Sequence, residues 1–222
     1  MIFCRDCVIP DSMKDNEKVL EVLRRLKREY PNPIIALNFK TPFELLVATM
    51  LSAQTTDVHV NKVTEGLFKK YRSIRDYADA PAEVFQKEVS SVNFYKTKAK
   101  NIQGTARMII GKCHSEVPKS MDELISLPGV ARKTANIVLF NVYGINEGVA
   151  VDTHVKRVSY RLGLTKNEDP VRIEKDLMEI TPKKEWGDLS HLLIFHGRKI
   201  CQAKKPRHQE CVLFDICPSK DI

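Results

Sequence analysis

The sequence predicts an all-α protein, on three observations. Apolar residues recur at helical spacing, as at Val19, Val22, Leu23 and Leu26. Several such segments open with a capping Ser, Thr or Asp followed by Pro or Glu, the residues that begin helices. No stretch alternates apolar and polar residues with a period of two over more than a few positions.

The composition is that of a folded protein whose positive charge suits binding to a polyanion. Of its 222 residues 43% are hydrophobic and 29% charged, values typical of one globular domain or two small ones. Lys and Arg outnumber Asp and Glu by 36 to 28, for a net charge of +8, which favours an acidic partner. No apolar run approaches the roughly 20 residues of a membrane span, and the N-terminus lacks the apolar segment of a signal peptide. We expect an intracellular protein of the cytoplasm or nucleoid, whose six cysteines are metal ligands or free thiols.

The first half of the chain contains several predicted helices and a polar corner. Helices are expected from about Asp15 to Tyr30 and from Thr41-Pro42 to Leu51, and another follows Pro81. Between them lies the segment LSAQTTD at residues 51–57, where amide and hydroxyl groups either cap the next helix or form a site.

The segment NFYKTKAKN at residues 93–101 places two aromatic residues before three lysines. Aromatic side chains beside cations fit nucleic acid, because they stack on bases while the cations attract phosphate. A solvated helix start with Phe94 buried fits the same residues, and the segment alone favours that simpler interpretation.

A hairpin is predicted in the segment LPGVARKTANIV at residues 127–138. Ser120-x-x-Glu123 begins a helix before it, and a second helix runs from Thr134 to Tyr143. Gly129 permits a tight turn whose amides lie at a helix N-terminus, which is anion-binding geometry. An ordinary hairpin between two helices remains an alternative.

The rest of the chain has further helix starts. A basic helix follows Asp152-Thr153-His154, and Pro occupies the first helical position at Asp169-Pro170 and Thr181-Pro182.

Lys133 and Asp152 are candidate catalytic residues. Lys133 lies near a helix N-terminus and beside Arg132, where its amine could act as a nucleophile. A carboxylate from Asp152 could activate it or stabilise positive charge on a substrate. The alternatives are a helix cap for Asp152 and an ordinary surface lysine.

The C-terminal tail has the spacing of a metal site. Cys201, His208, Cys211 and Cys217 follow the pattern C-x6-H-x2-C-x5-C within a basic segment, a density of ligands typical of bound metal. Cys4 and Cys7 form a separate C-x-x-C pair, which alone is weak evidence for a site.

Taken together, these motifs resemble the endonuclease III family of helix-hairpin-helix DNA glycosylases and abasic-site lyases. The matching segments are LSAQTTD, NFYKTKAKNI, LPGVARKTAN, AVDTHVKRV and HGRKIC with the tail behind it. They lie in the family's order and span most of the chain. No single motif is as specific as the set.

The resemblance implies a two-domain, all-α helix-hairpin-helix glycosylase fold. A six-helix domain would span residues 35–148, and a discontinuous domain that carries the cluster would join 1–34 to 149–222. Double-stranded DNA with damaged bases or abasic sites would lie in a cleft between them, with the target nucleotide flipped out. We expect a monomer with no membrane association.

The resemblance also assigns roles to residues. Lys133 would attack the sugar C1′ to give a Schiff base, with Asp152 assisting, and β-elimination would then cut the strand; the substrates would be oxidised or ring-saturated pyrimidines. Gln54 would fill the vacated space or face the orphaned base, and Phe94 would stand where the family usually has a leucine wedge. The other expected DNA contacts are Lys98, Gly129, Val130, Ala131, Arg132, Thr153 and His154. Hairpin carbonyls could also bind a monovalent cation.

Two positions depart from the family pattern. Where the family has a second cluster cysteine, this chain has His208. His208 could ligate a [4Fe–4S] cluster, which we favour; Cys4 or Cys7 could replace it; or the site could hold zinc. Ala131 stands at a position that is often glycine, so we expect slightly weaker phosphate contact.

Particular residues distinguish the predicted function from the alternatives. The adenine-removing branch has a catalytic glutamate where this chain has Thr49, and monofunctional branches lack Lys133. A DNA-binding module with a structural metal would need neither Lys133 nor Asp152. A mismatch-specialised glycosylase on the same fold is a further alternative.

Overall fold

The computed structural model describes residues 15–220, which are helical as predicted. Neither a β-strand nor a β-bridge occurs among these residues. In chain order the α-helices are α1 Asp15–Glu29, α2 Pro42–Ser52, α3 Asp57–Lys70, α4 Ile74–Asp79, α5 Ala82–Glu88, α6 Tyr95–Lys112, α7 Met121–Ile125, α8 Arg132–Tyr143, α9 Thr153–Arg161, α10 Pro170–Ile180 and α11 Trp186–Lys199.

The chain divides into two units, each with its own hydrophobic core. The first unit is Ile35–Ile145 and contains α2 to α8; the second combines the described residues before Ile35 with those from Asn146 onward. The predicted boundary lay after residue 148, and the contacts divide the chain after Ile145.

Helix α2 is the centre of the first unit. Phe43 and the seven consecutive residues from Leu45 to Leu51 are buried, because α3, α6 and α8 all pack against this helix. Its predicted start is confirmed: Pro42 follows the N-cap Thr41, whose hydroxyl accepts the Glu44 amide at 3.1 Å. Each fully buried Leu in such a helix contributes about 2 kcal/mol.

The predicted helix start at Ser120 is also confirmed, since its hydroxyl accepts the Glu123 amide at 3.3 Å and caps the short helix α7; the Glu123 carboxylate accepts from the Ser120 hydroxyl at 2.6 Å. Helix α4, which no apolar pattern in the sequence predicted, begins with a capping box between Ser73 and Asp76. Helix α8 starts at Arg132, two residues before the predicted Thr134, and ends at Gly144 with a φ of 66°.

The second unit is built from α1, α9, α10 and α11. Helix α1 buries Val19, Val22, Leu23 and Leu26, the apolar face that the spacing predicts. Asp169 caps α10 as predicted. The Pro182 prediction was only partly right: a 3-10 helix, Lys183–Glu185, follows this proline, and α11 begins at Trp186.

Candidate active site

The hairpin turn depends on Gly129. Its φ is +74°, and a Cβ there would lie 2.5 Å from Asn101 Nδ2 on α6. The turn is closed by the Val130 amide, which donates to Leu127 O at 3.1 Å. Thr105 on α6 donates from its hydroxyl to Pro128 O at 3.0 Å, so α6 holds the turn at two points.

Helix α8 begins directly after this turn and has no side-chain cap. Its N-cap residue is Ala131, with a φ of −90° and no capping hydrogen bond. That backbone conformation suits alanine as well as glycine, so the methyl group does not strain the turn. The first amides of α8 therefore have no acceptor on the side chain of the N-cap residue.

Lys133 is exposed in the first turn of α8. Its place just behind the hairpin puts the amine beside the positive end of the helix dipole. Within the first unit, the structure therefore brings together the predicted phosphate-binding turn and the predicted nucleophile.

Asp152 lies in the second unit, where it is the N-cap of α9. Its Oδ1 accepts the amides of His154 and Val155, both at 2.8 Å. The capping interpretation is therefore confirmed. Since both bonds go to one oxygen, Oδ2 has no hydrogen-bond donor among the described residues and remains available for chemistry.

Thr153 and His154 occupy the first turn of α9. Thr153 is exposed and His154 half-buried. Burial lowers the pKa of His154, although Asp152 opposes the shift. Arg157 donates to His154 Nδ1 at 3.1 Å, so the neutral imidazole presents Nε2–H as a donor.

Gln54 and Phe94, the two residues expected to enter DNA, share an uncommon backbone conformation. Their φ values are 56° and 57°. Phe94 is 66% exposed, so the simpler interpretation of this segment, in which Phe94 is buried, is wrong. Asn93, a residue to which the sequence assigned no role, donates from Nδ2 to Gln54 O at 2.5 Å.

Two residues expected to contact DNA are buried: Lys98 is only 7% exposed, and Val130 only 5%. Lys98 Nζ donates to Leu51 O at 2.7 Å and to Ala53 O at 2.6 Å. Burial lowers the pKa of this ammonium. A lysine within a basic segment carries no sequence signal of burial, so the sequence does not distinguish Lys98 from exposed cations.

The four ligand-spaced residues of the tail line one cavity in the second unit. Cys201, Cys211 and Cys217 are free cysteines. Burial raises the pKa of the Cys211 thiol to about 11 and also raises the pKa of Cys217. Such thiols become thiolates only when metal replaces the proton, and three thiols with one imidazole fit an iron–sulfur centre.

The fourth residue of the set, His208, has a defined tautomer. Its Nδ1 lies 2.6 Å from Lys220 O. A carbonyl only accepts, so Nδ1 carries the proton and Nε2 keeps the lone pair. Among residues 15–220, no three His, Cys, Asp or Glu side chains are arranged to hold a single metal ion. Cys4 and Cys7 lie outside the described residues.

Neighbouring side chains orient the cysteines. His196 is 2% exposed, and burial lowers its pKa to about 4. Its Nε2 lies 3.5 Å from Cys211 Sγ and its Nδ1 3.4 Å from Tyr30 Oη, which suits donation from Nε2 to sulfur. Arg161 donates to Cys201 Sγ at 3.4 Å. His196 opens the segment HGRKIC, but its contact with Cys211 could be found only in the fold.

None of the helices in residues 15–220 combines the length and the apolar character that a membrane span needs.

Comparisons with known proteins agree with the predicted family. The model described as HhH-GPD superfamily base excision DNA repair protein matches residues 47–183, and the iron-sulfur binding domain of endonuclease III matches residues 201–217. The latter match supports an iron–sulfur cluster in the tail.

Individual relatives cover nearly the whole chain. Endonuclease III of Synechocystis sp. is 50% identical over 91% of this chain and 93% of its own length, and that of Bacillus subtilis is 48% identical over 85% and 86%. A solved trapped endonuclease III–DNA covalent intermediate matches with a TM-score of 0.88 at 42% identity, covering 94% of this chain and 98% of that one. The chain therefore belongs to the endonuclease III family, within the HhH-GPD superfamily of base excision DNA repair proteins.

Proposed function

We propose that the protein is a bifunctional DNA glycosylase and abasic-site lyase that removes oxidised pyrimidines through a Schiff base on Lys133. The observation that carries the proposal is the position of Lys133. It is exposed in the first turn of α8, directly after the hairpin, and α8 begins without a side-chain cap. The similar structure of a trapped endonuclease III–DNA covalent intermediate supports a covalent step.

The hairpin would hold the DNA backbone. Amides at the start of α8 and the helix dipole together favour a phosphate oxygen. A phosphate held there limits the distance between Lys133 and the adjoining sugar, and such positioning is a large part of the rate that an enzyme supplies. A monovalent cation on the hairpin carbonyls remains a prediction.

Lys133 would act as its free amine. Nζ bonds to the sugar C1′ while the bond from C1′ to the base nitrogen breaks, and the base leaves with the electron pair and gains a proton. Nζ loses two protons, one to the base and one to O4′, as the C1′–O4′ bond breaks and the Schiff base forms. Removal of a C2′ proton then breaks the C3′–O bond and expels the 3′ phosphate, and water hydrolyses the Schiff base to return Lys133. Each step balances without an external oxidant or reductant.

Asp152 would stabilise positive charge on the sugar and transfer protons. Its capping bonds fix Oδ1 at 2.8 Å from two amides, so the carboxylate keeps one orientation while Oδ2 is free to act. A carboxylate in a defined orientation is an effective general base.

Gln54 and Phe94 would open the duplex. Phe94 is 66% exposed, and a protruding aromatic side chain can wedge between base pairs. Gln54 would occupy the space left by the flipped nucleotide, whose base must leave the stack before C1′ can be attacked.

The iron–sulfur cluster would be held by the thiolates of Cys201, Cys211 and Cys217 and by Nε2 of His208. The hydrogen bond from His208 Nδ1 to Lys220 O is of the kind that orients metal-binding histidines. When bound, the cluster supplies cross-links that stabilise the tail, because metal binding contributes directly to folding.

The ligand set is tested on anaerobically purified protein by iron content and visible absorption. His208→Ala should lose iron, and His208→Cys should retain it. Cys4→Ala and Cys7→Ala should leave iron content unchanged. Loss of the cluster in either of these variants, but not in His208→Ala, would overturn the assignment.

The function is tested with borohydride on a duplex that contains an abasic site. Wild-type protein should give a covalent adduct, because borohydride reduces the Schiff base to a stable amine, whereas Lys133→Ala should give none. If wild type binds the duplex but never cuts or traps it, the protein is a binding module without lyase chemistry.

A further inference from the structure

Two segments of the first unit converge on the residues proposed to enter DNA. Gln54 lies in the corner between α2 and α3, and Phe94 immediately precedes α6. Both residues have positive φ, a conformation that non-glycine residues keep only where the surroundings enforce it. Hydrogen bonds from Asn93 and Lys98 reach the corner at Gln54 and at the residue before it.

Lys98 lies on α6, one turn after Phe94, and its side chain is bonded to the α2–α3 corner. Its backbone amide donates to Phe94 O at 3.0 Å, an ordinary helical bond that does not depend on the side chain. Its ammonium donates to Leu51 O and Ala53 O, at 2.7 and 2.6 Å, and the second of these carbonyls belongs to the residue before Gln54. A third acceptor, Thr55 Oγ1, lies at 3.4 Å.

This arrangement uses all the hydrogen-bonding capacity of the ammonium. A lysine has three N–H donors, and each has an acceptor within the protein. Because only 7% of the residue is exposed, the ammonium has little surface that a phosphate oxygen could contact. The charge of Lys98 is therefore directed to carbonyls of the α2–α3 corner.

Two further bonds join the same segments. Asn93 Nδ2 donates to Gln54 O at 2.5 Å. His59, on α3, lies with Nε2 3.0 Å from Ser91 O, and because a carbonyl only accepts, Nε2 is the donor. The loop before Phe94 is thus bonded to the corner at Gln54 itself and to α3 through His59.

We propose that Lys98 is a positioning residue that holds Gln54 and Phe94 as one preformed unit for insertion into duplex DNA, with Asn93 as a second link. The inference rests on the proposed function of these two residues. A preformed unit avoids the entropic cost of ordering two loops at the moment of binding. Burial of the ammonium keeps water from competing for the carbonyls.

The test compares Lys98→Met and Asn93→Ala with Lys112→Met, which removes an exposed lysine at the far end of the same helix. Two substrates are used: a duplex with an oxidised pyrimidine, and a single-stranded oligonucleotide with an abasic site. The single strand has no stacked partner to displace, so it needs neither the wedge nor the space-filling residue.

Lys98→Met should excise the base from the duplex about ten- to a hundred-fold more slowly, while cleavage of the single strand stays at the wild-type rate. Asn93→Ala, whose side chain is exposed, should show a smaller loss in the same direction. Lys112→Met should match wild type on both substrates. The slope of log affinity against log salt should be unchanged in Lys98→Met, because no phosphate contact is lost.

Three results would overturn the inference. One is wild-type excision from the duplex by both Lys98→Met and Asn93→Ala. Another is an equal loss on both substrates, which would indicate a general structural or catalytic defect. The last is a shallower salt slope in Lys98→Met, the mark of a phosphate contact. If wild type itself cleaves neither substrate, the proposed function fails along with the inference.

Discussion

The left-handed backbone of Gly129 permits the hairpin turn and the close approach of α6. An alanine there would adopt an unfavourable φ and place its Cβ 2.5 Å from Asn101 Nδ2. The side chain at this one position thus affects both the turn and its support. The Pro-Gly pair indicated the turn from sequence, whereas the contact with Asn101 requires the fold.

Gly129→Ala should lower the free energy of unfolding by about 2 kcal/mol or more, since it combines a positive-φ penalty with a clash. Gly66→Ala is the matched control: a Cβ there meets nothing within 4 Å, and the residue lies inside α3, so it should raise stability by about 0.5–1 kcal/mol. Urea unfolding measures both. Equal effects of the two substitutions would contradict the role assigned to the turn.

Asp152→Asn separates capping from catalysis. Asparagine caps helices about as well as aspartate, so the stability of this variant should stay within about 0.5 kcal/mol of wild type. Its excision rate should fall by about a hundred-fold or more, because an amide cannot take up a proton. Asp152→Ala should in addition lose about 1 kcal/mol of stability. Full activity in Asp152→Asn would show that Asp152 only caps α9.

Residue identity alone could not distinguish the lysines. Lys133 and Lys98 both lie in basic segments near helix starts, yet Lys133 is exposed and Lys98 is buried under carbonyls. Burial depends on which helix packs above the residue, and that packing joins residues about fifty positions apart. The positive φ of Phe94 had no sequence signal, because phenylalanine is not a residue that favours that conformation.

At the scale of elements, local chemistry predicted most helix starts. Caps at Thr41, Ser120 and Asp169 follow from short side chains that accept nearby amides, and such bonds involve only neighbouring residues. Helix α4 and the 3-10 turn after Pro182 were harder to predict, because short elements have too few apolar residues to show a period.

Helix α1 is joined to the tail by Arg25. This guanidinium donates to Val212 O at 3.0 Å and to both carboxylate oxygens of Asp215, at 2.5 and 3.0 Å. It also donates to Glu21 at 2.6 Å. Paired in this way, Arg25 fixes the tail between two of the proposed cluster ligands, Cys211 and Cys217.

Arg25→Met should lower the stability of the second unit by about 1–2 kcal/mol, a figure that allows for the exposure of Asp215. The variant should also lose the visible absorption of the cluster faster than wild type when a chelator is present. Arg24→Met is the control, since Arg24 also pairs with Glu21 but is 60% exposed in its side chain and has no contact with the tail among its described bonds. If both variants lose absorption at the same rate, the bonds of Arg25 to the tail do not support the cluster.

For the molecule as a whole, the main feature is that the two hydrophobic cores share no residue among those described. Lys133, the proposed nucleophile, belongs to the first unit. Asp152 and the cluster residues belong to the second unit. Since each core is buried separately, damage to one should leave the other protected.

Cys211→Ser tests this independence. Without the full ligand set, hydrogen exchange should accelerate in α9 and α11 and in the tail, because the second unit loses the stabilisation that the cluster contributes. Amides of α2 and α6 should keep their wild-type protection. Mass spectrometry measures the exchange of each segment. Uniform acceleration across both units would show that the two cores unfold together.

The most direct test of the proposed chemistry is to locate the covalent bond to DNA. Borohydride-reduced wild-type adduct is digested with trypsin and nuclease, and the peptides are sequenced by mass spectrometry. We predict that the sugar remnant lies on Nζ of Lys133, in a peptide uncleaved after that residue because trypsin does not cut at a modified lysine. A remnant on any other amine, with Lys133 unmodified, would contradict the mechanism.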